Sequence, residues 1–258
     1  MKTKTFILGP CAMETKDMYL KTAKFLNTFM QDKQWIYKAS FDKANRSSIN
    51  GSRGCGYDEA IEWFKEVKTQ IPNIKLTTDI HEVWQVEKLA GLIDVMQIPA
   101  FLCRQTDLLI EAARYADVVN IKKGQWMSPQ NMVQGVDKIK NTNPNCQVWL
   151  TERGTQFGYG QLIVDLGNVE FLKQHFDQVI FDVTHSTQRL KSNGRTGGDR
   201  ELAVKYLQSA GIFGYDGIFA EVHPNPAEAF SDGDCQIQLN DIESILNQSE
   251  QINKIIEL

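Results

Sequence analysis

A chain of 258 residues, 42% hydrophobic and 23% charged, has the composition of a cored globular protein, which excludes a peptide, a disordered chain and a small stapled module. Its formal net charge of −4 gives no general attraction for polyanions, so no nucleic acid partner is expected and any phosphate must be met by locally placed Lys and Arg. The five cysteines, Cys11, Cys55, Cys103, Cys146 and Cys235, are scattered, odd in number and without CxxC spacing, which speaks for reduced thiols in a cytoplasmic protein and against a disulfide framework.

The first apolar stretch ends at Gly9-Pro10, too short for a signal peptide, and no later run reaches the ~20 apolar residues of a spanning helix, so no membrane partner is expected either. Short β-branched or apolar runs then alternate with helical periodicity along the chain, predicting strands at 5–8, 35–39, 74–78, 94–98, 118–122, 147–151, 178–183 and 217–222. Helical patterns follow each; over 57–70, Ile61, Phe64, Val67 and Lys68 recur at helical spacing, and 108–115 and 131–140 behave alike. Thr15 and Ser128-Pro129 have the chemistry of helix starts, and 241–258 reads as a final amphipathic helix.

Eight βα repeats without a linker or low-complexity segment predict an α/β protein, a single (β/α)8 TIM barrel over 1–258. The competing doubly wound sheet would carry a GxGxxG turn after its first strand, where this chain has Gly9-Pro10-Cys11. A barrel places its active site at the carboxyl ends of the strands, and the residues there are unusually polar. They run Cys11; Lys38, Ser40, Lys43, Asn45 and Arg46; Asp79 and His81; Gln97 and Arg104; Lys122 and Lys123; Glu152 and Arg153; Asp182 and His185; Glu221 and His223. The cations Lys38, Lys43, Arg46, Arg104, Lys122 and Arg153 suit a phosphorylated or carboxylated substrate, although a local ion pair explains Lys123 equally well. Cys11, His185, Glu221 and Asp232 form a second set, neighbours across the closing strands, whose donors suit a divalent Zn, Fe, Mn or Co ion better than Mg or Ca.

The segment Lys38-Ala-Ser-Phe-Asp-Lys-Ala-Asn-Arg-Ser47 resembles the KANRS signature of 3-deoxy-D-manno-octulosonate 8-phosphate (KDO8P) synthases. Thr78–Glu82, Gln97–Asp107, Asn120–Gln125, Leu150–Gly154, Phe181–Ser186 and Glu221–Pro224 resemble that family in the same order, so the likeness covers nearly the whole chain. It implies an aldol-type condensation of phosphoenolpyruvate (PEP) with arabinose 5-phosphate plus water, releasing phosphate, in the biosynthesis of KDO and lipopolysaccharide. Lys38, Ser40, Lys43, Gln97, Lys122 and Arg153 would surround PEP. Asn45, Arg46 and Ser47 would bind the sugar phosphate, with Arg104 supplied by a neighbouring subunit of a homotetramer. Cysteine rather than asparagine at position 11 resembles the metal-dependent class, with Cys11, His185, Glu221 and Asp232 as ligands and Cys11, Lys43 and His185 closest to the chemistry.

Two loops depart from the family pattern. Gly51-Ser-Arg-Gly-Cys-Gly56 stands where the family has Ser-aromatic-Arg-Gly-Pro-Gly, and the stretch from Gln188 to Gly198 lacks the usual Pro-Gly-Gly. Both adjoin the sugar side, which leaves the acceptor open between arabinose 5-phosphate and another aldose phosphate such as erythrose 4-phosphate. A catalytically silent barrel would lack a ligand or a PEP cation, whereas every matched position is filled.

Overall fold

The computed structural model describes residues 5–46, 49–190 and 196–256. Parallel strands β1 (Thr5–Gly9), β2 (Gln34–Lys38), β3 (Lys75–Asp79), β4 (Val95–Ile98), β5 (Val118–Lys122), β6 (Gln147–Glu152), β7 (Gln178–Asp182) and β8 (Gly217–His223) pair in chain order. β8 then pairs back to β1, with Thr5 opposite Gly217 and Gly9 opposite Glu221, so the barrel is closed. Among the described residues eight α-helices surround it: α1 (Lys16–Met30), α2 (Tyr57–Gln70), α3 (Val83–Leu89), α4 (Thr106–Tyr115), α5 (Pro129–Thr142), α6 (Val169–Lys173), α7 (Arg200–Ser209) and α8 (Ile242–Ile256). The expected (β/α)8 barrel is the one formed, with strand ends within one residue of those predicted. No helix among the described residues is long and apolar enough to cross a membrane.

Local chemistry accounts for the helix starts. Thr15 Oγ1 accepts the Met18 amide and Ser128 Oγ the Asn131 amide, each satisfying a donor that the first helical turn leaves free. The buried stripe of α2 differs from the predicted one: it is Ala60, Trp63, Phe64 and Val67, while Ile61 is half-buried and Lys68 reaches Asp94 at 2.8 Å. Trp63, whose ring lies 6.1 Å from that of Tyr19, has more apolar area to hide than Ile61, and the helix turns accordingly.

Strand alternation sets up the site. Side chains two apart share a face, and Ile7, Ile36, Val95, Trp149, Ile180 and Phe219 form an apolar cluster inside the barrel, separate from the main core between strands and helices. Two residues further along, the same inward rows carry Lys38, Gln97, Thr151, Asp182 and Glu221. The barrel is therefore floored with hydrocarbon and roofed with charge. On β1 the equivalent position is Gly9, where a Cβ would lie 2.0 Å from the Lys38 carbonyl oxygen; only glycine lets β2 come this close.

At the opposite end an aspartate before a strand repeatedly accepts a backbone amide from the strand beside it: Asp94 from Leu76, Asp177 from Val148 and Asp216 from Val179, at 2.7–2.9 Å. Burial alone would raise the Asp94 carboxyl, but Lys68, the Leu76 amide and Lys75 hold it below the usual carboxylate range. Asp94→Ala orphans the buried Leu76 amide and is expected to cost roughly 1–3 kcal/mol in thermal or denaturant unfolding. Because the folded carboxyl is depressed, this contribution is complete above about pH 4 and fades as the pH falls further, so the gap between the two proteins should narrow in acid.

Candidate active site

The polar roof opens into a cavity of about 810 Å³ lined from the strand ends and the loops after them. A larger cavity, about 970 Å³, lies at the other end of the barrel among residues such as Trp35, Lys75, Asp117 and Trp149 and contains none of the predicted site residues. Lys38, Lys43, Asn45, Arg46, Gln97, Lys122, Arg153, His185 and Asp232 line the first, whereas Cys11, Ser40 and Glu221 are fully buried behind that lining. Ser47 lies outside the described residues, as does the stretch 191–195 of the seventh loop. Arg104 is exposed and away from this cavity, so within one chain five of the six predicted cations converge.

Two predicted strand-end residues serve the scaffold. Lys123 is 1% exposed, donates to the Gly154 carbonyl at 3.1 Å and sits 3.4 Å from Glu152, tying two loops together. His223 accepts the Asn225 amide on Nδ1 and lies 3.4 Å from Glu14.

Lys38, Lys122 and Arg153 are dry. Lys38 Nζ lies 2.9 Å from Glu221 Oε1 and donates to the Cys11 carbonyl at 3.2 Å, while Lys122 pairs with Asp182 and sits 3.5 Å over the Phe219 ring. Burial pushes the Lys122 ammonium down, opposed by Asp182, and burial likewise lowers Arg153. Arg153 Nη2 donates to Gln188 Oε1 at 2.5 Å, yet its Nε is buried without a protein partner, as is His81 Nδ1. An anion entering here would find donors that have already lost their water.

A ladder of polar side chains crosses four adjacent strands below these cations. Thr151 Oγ1 donates to Asn120 Oδ1 at 2.8 Å, Asn120 Nδ2 to Gln97 Oε1 at 3.3 Å, and Gln97 Nε2 to Asp79 Oδ1 at 2.6 Å. Ser40 Oγ donates to the other oxygen of Asp79. Every donor points toward Asp79; burial acts to raise its carboxyl, but Lys38, Lys43, His81 and Lys122 hold it far below the usual range. Asp79 thus stays ionised and anchors Gln97 in one orientation.

Three of the four predicted metal ligands come together: ligand atoms of Cys11, Glu221 and Asp232 all lie within 4.8 Å of one another. His185 adjoins them, with Nε2 at 3.7 Å from Glu221 Oε1 and Nδ1 at 2.8 Å from Asp182 Oδ2. A proton on Nδ1 donated to Asp182 would leave the Nε2 lone pair to face the cluster, the usual arrangement of a ligating histidine. Glu221 Oε2 is buried with no hydrogen-bond partner, an oxygen that a cation would satisfy. A thiol, an imidazole and two carboxylates fit a divalent transition ion. Burial and then Glu221 push the Cys11 thiol well above its ordinary value, so the ion would displace a proton from it. Burial works against the Lys43 ammonium, yet the carboxylates of Glu221, Asp79 and Asp232 hold it charged.

Among the cavity-lining residues that residue-by-residue reading left without a role are Gln188, Phe101 and Gln125. Gln188 had one signal, its position a single turn beyond His185.

The sequence profile of the DAHP synthetase I family matches residues 2–258. The chain belongs to this family. Within it, the 2-dehydro-3-deoxyphosphooctonate aldolase of Fusobacterium nucleatum is 44% identical over 259 residues, covering 98% of this chain and 92% of the relative. Proteins of the same name from Wolinella succinogenes and Helicobacter hepaticus are 41% and 40% identical over 262 residues, covering 96% of this chain and 99% and 96% of theirs. This DAHP synthetase I family member thus groups with octonate aldolases over nearly full length.

Proposed function

We propose that the chain is a metal-dependent KDO8P synthase joining PEP to arabinose 5-phosphate. The observation that carries this reading is one cavity lined by Asp232 and the buried cations Lys38, Lys122 and Arg153, with Cys11 and Glu221 directly behind Asp232, in a chain 44% identical to a protein named 2-dehydro-3-deoxyphosphooctonate aldolase. The relatives' name favours an octulosonate product, hence a five-carbon acceptor, despite the divergent loops at 51–56 and 188–198.

In the reaction, C3 of PEP bonds to the aldehyde carbon and the aldehyde oxygen takes a proton. Water adds to C2 and loses a proton; the C2–O bond then breaks, leaving a ketone and inorganic phosphate. Lys38, Lys122 and Arg153 balance the phosphate and carboxylate of PEP, and Gln97 and Ser40, both tied to Asp79, fix its orientation. Lys43, held charged by the surrounding carboxylates of Glu221, Asp79 and Asp232, offers a proton to the oxygen that becomes negative as the new bond forms. A bound divalent ion would supply Lewis-acid polarisation of that oxygen or acidify the attacking water. Asn45, Arg46 and Ser47 take the sugar phosphate. In this reading Arg104, exposed and remote from its own cavity, completes a neighbour's site in a homotetramer. The free, mostly buried cysteines accord with a cytoplasmic setting.

Phosphate release from PEP with a panel of aldose phosphates, with and without chelator, tests the assignment. The expected result is turnover with arabinose 5-phosphate that chelation abolishes and a divalent ion restores; a preference for erythrose 4-phosphate would replace the acceptor, and full activity in chelator would remove the metal. Asn120→Leu, which deletes the middle rung of the ladder, is expected to raise the KM for PEP several-fold while leaving the KM for the sugar phosphate little changed, as steady-state kinetics would record.

A further inference from the structure

Gln188 joins the anion-binding side of the cavity to its metal-ligand side through an uncharged amide. Its Oε1 accepts Arg153 Nη2 at 2.5 Å and its Nε2 donates to Asp232 Oδ1 at 2.7 Å, so both ends of the amide are committed and neither can reverse without losing both bonds. Asp232 needs such help. Its backbone is left-handed, with φ at +55°, an unfavourable conformation for a residue with a Cβ, and its carboxylate is turned toward Cys11 Sγ at 3.4 Å. Ser231 Oγ donates to Oδ2 at 2.6 Å and itself receives Arg46 Nη1 at 2.8 Å. A continuous path therefore runs Arg46, Ser231, Asp232, Gln188, Arg153, with the candidate ligand Asp232 at its centre. The Gln188 backbone is placed at the end of a 3₁₀ turn, where its N–H donates to the His185 carbonyl at 3.2 Å, so the linker is attached to the same segment as the fourth candidate ligand.

We propose that Gln188 is a positioning residue that fixes the Arg153 guanidinium and the Asp232 carboxylate in one frame, so that divalent-ion affinity and PEP affinity depend on each other through it. The inference rests on the proposed PEP and metal sites. Each ligand then strengthens the other by the same factor, because coupling between two binding equilibria is reciprocal. PEP on Arg153 settles the guanidinium that Gln188 accepts from; an ion on Asp232 settles the carboxylate that Gln188 donates to.

The experiment titrates Co²⁺ into the metal-stripped protein, following the thiolate-to-cobalt absorbance that Cys11 would give, with and without saturating PEP. The unsubstituted chain should bind Co²⁺ more tightly when PEP is present. In Gln188→Met, which keeps the length of the side chain but neither hydrogen bond, Co²⁺ affinity should fall about tenfold, the scale of losing an outer partner of a ligand, and the effect of PEP should shrink toward none. Gln188→Glu retains an acceptor for Arg153 and loses the donor to Asp232, so the coupling should disappear in it as well; this variant carries the test if the methionine variant does not fold. Unchanged coupling in a folded variant overturns the proposal alone. Failure of the unsubstituted chain to bind Co²⁺ or PEP at all overturns the functional reading beneath it.

Discussion

Cys11→Ala is expected to lower divalent-ion affinity by more than the ~10–100-fold typical of losing an outer partner, because in the proposed reading it deletes a ligand outright, and to reduce turnover at limiting metal in parallel. The residue is fully buried beside Glu221 and Asp232, so its replacement leaves two carboxylates that converge without the soft donor between them. A second signature separates ligand loss from general damage. Burial and the Glu221 carboxylate raise the Cys11 thiol, so across neutral pH the metal-free protein carries a proton there that the ion must displace. Apparent affinity should therefore climb as pH rises, with about one thiol proton released per ion, and Cys11→Ala should lose that proton release in calorimetry run in buffers of different ionisation enthalpy. Cys11→Asn probes the chemistry further, since asparagine at this place marks the metal-independent class of the family that the chain resembles. Activity of that variant without metal would mean that the ion chiefly organises the site, and complete loss would mean that it takes part.

The barrel was legible because its signal is repeated: each strand is a short buried run, and errors at one end do not propagate to the next. Finer than that, the inward rows themselves could be read as an apolar residue followed two positions later by a polar one, as in Ile36 and Lys38, Val95 and Gln97, or Phe219 and Glu221. That pattern places cations and carboxylates in one layer without any knowledge of a family. Side-chain partnership was much less visible. Lys122 and Lys123 are adjacent in sequence, yet alternation sends one into the cavity and the other into carbonyl contacts between loops. Gln188 and Asp232 are 44 positions apart and their contact exists only once the barrel has closed, so no spacing rule announces it. The buried face of α2 was read slightly off because periodicity gives a stripe about one residue wide of the mark when several apolar side chains compete for the core.

The second large effect is expected at Asp182. Its carboxylate is fully buried and accepts from the Thr184 amide at 3.1 Å, the His185 amide at 2.9 Å, His185 Nδ1 at 2.8 Å and the Lys122 ammonium. Burial alone would raise this carboxyl, but His185 and Lys122 together hold it far below the usual range. Asp182→Ala strands the buried Lys122 cation and should cost about 3–5 kcal/mol, enough to lower Tm by roughly 6–20 °C for a chain of this size. Asp182→Asn separates stability from chemistry. The amide oxygen can still receive the two backbone amides, so more of the fold's stability survives than in the alanine variant. Its NH₂ group, however, now faces His185 Nδ1, which must become the acceptor; the ring proton moves to Nε2 and removes the lone pair that faces Glu221 and the candidate metal. A folded Asp182→Asn protein should accordingly bind a divalent ion ~10–100-fold more weakly, with Lys122 left partnerless and PEP binding altered as well. Ion affinity equal to that of the unsubstituted chain would show that His185 does not act through the orientation Asp182 gives it.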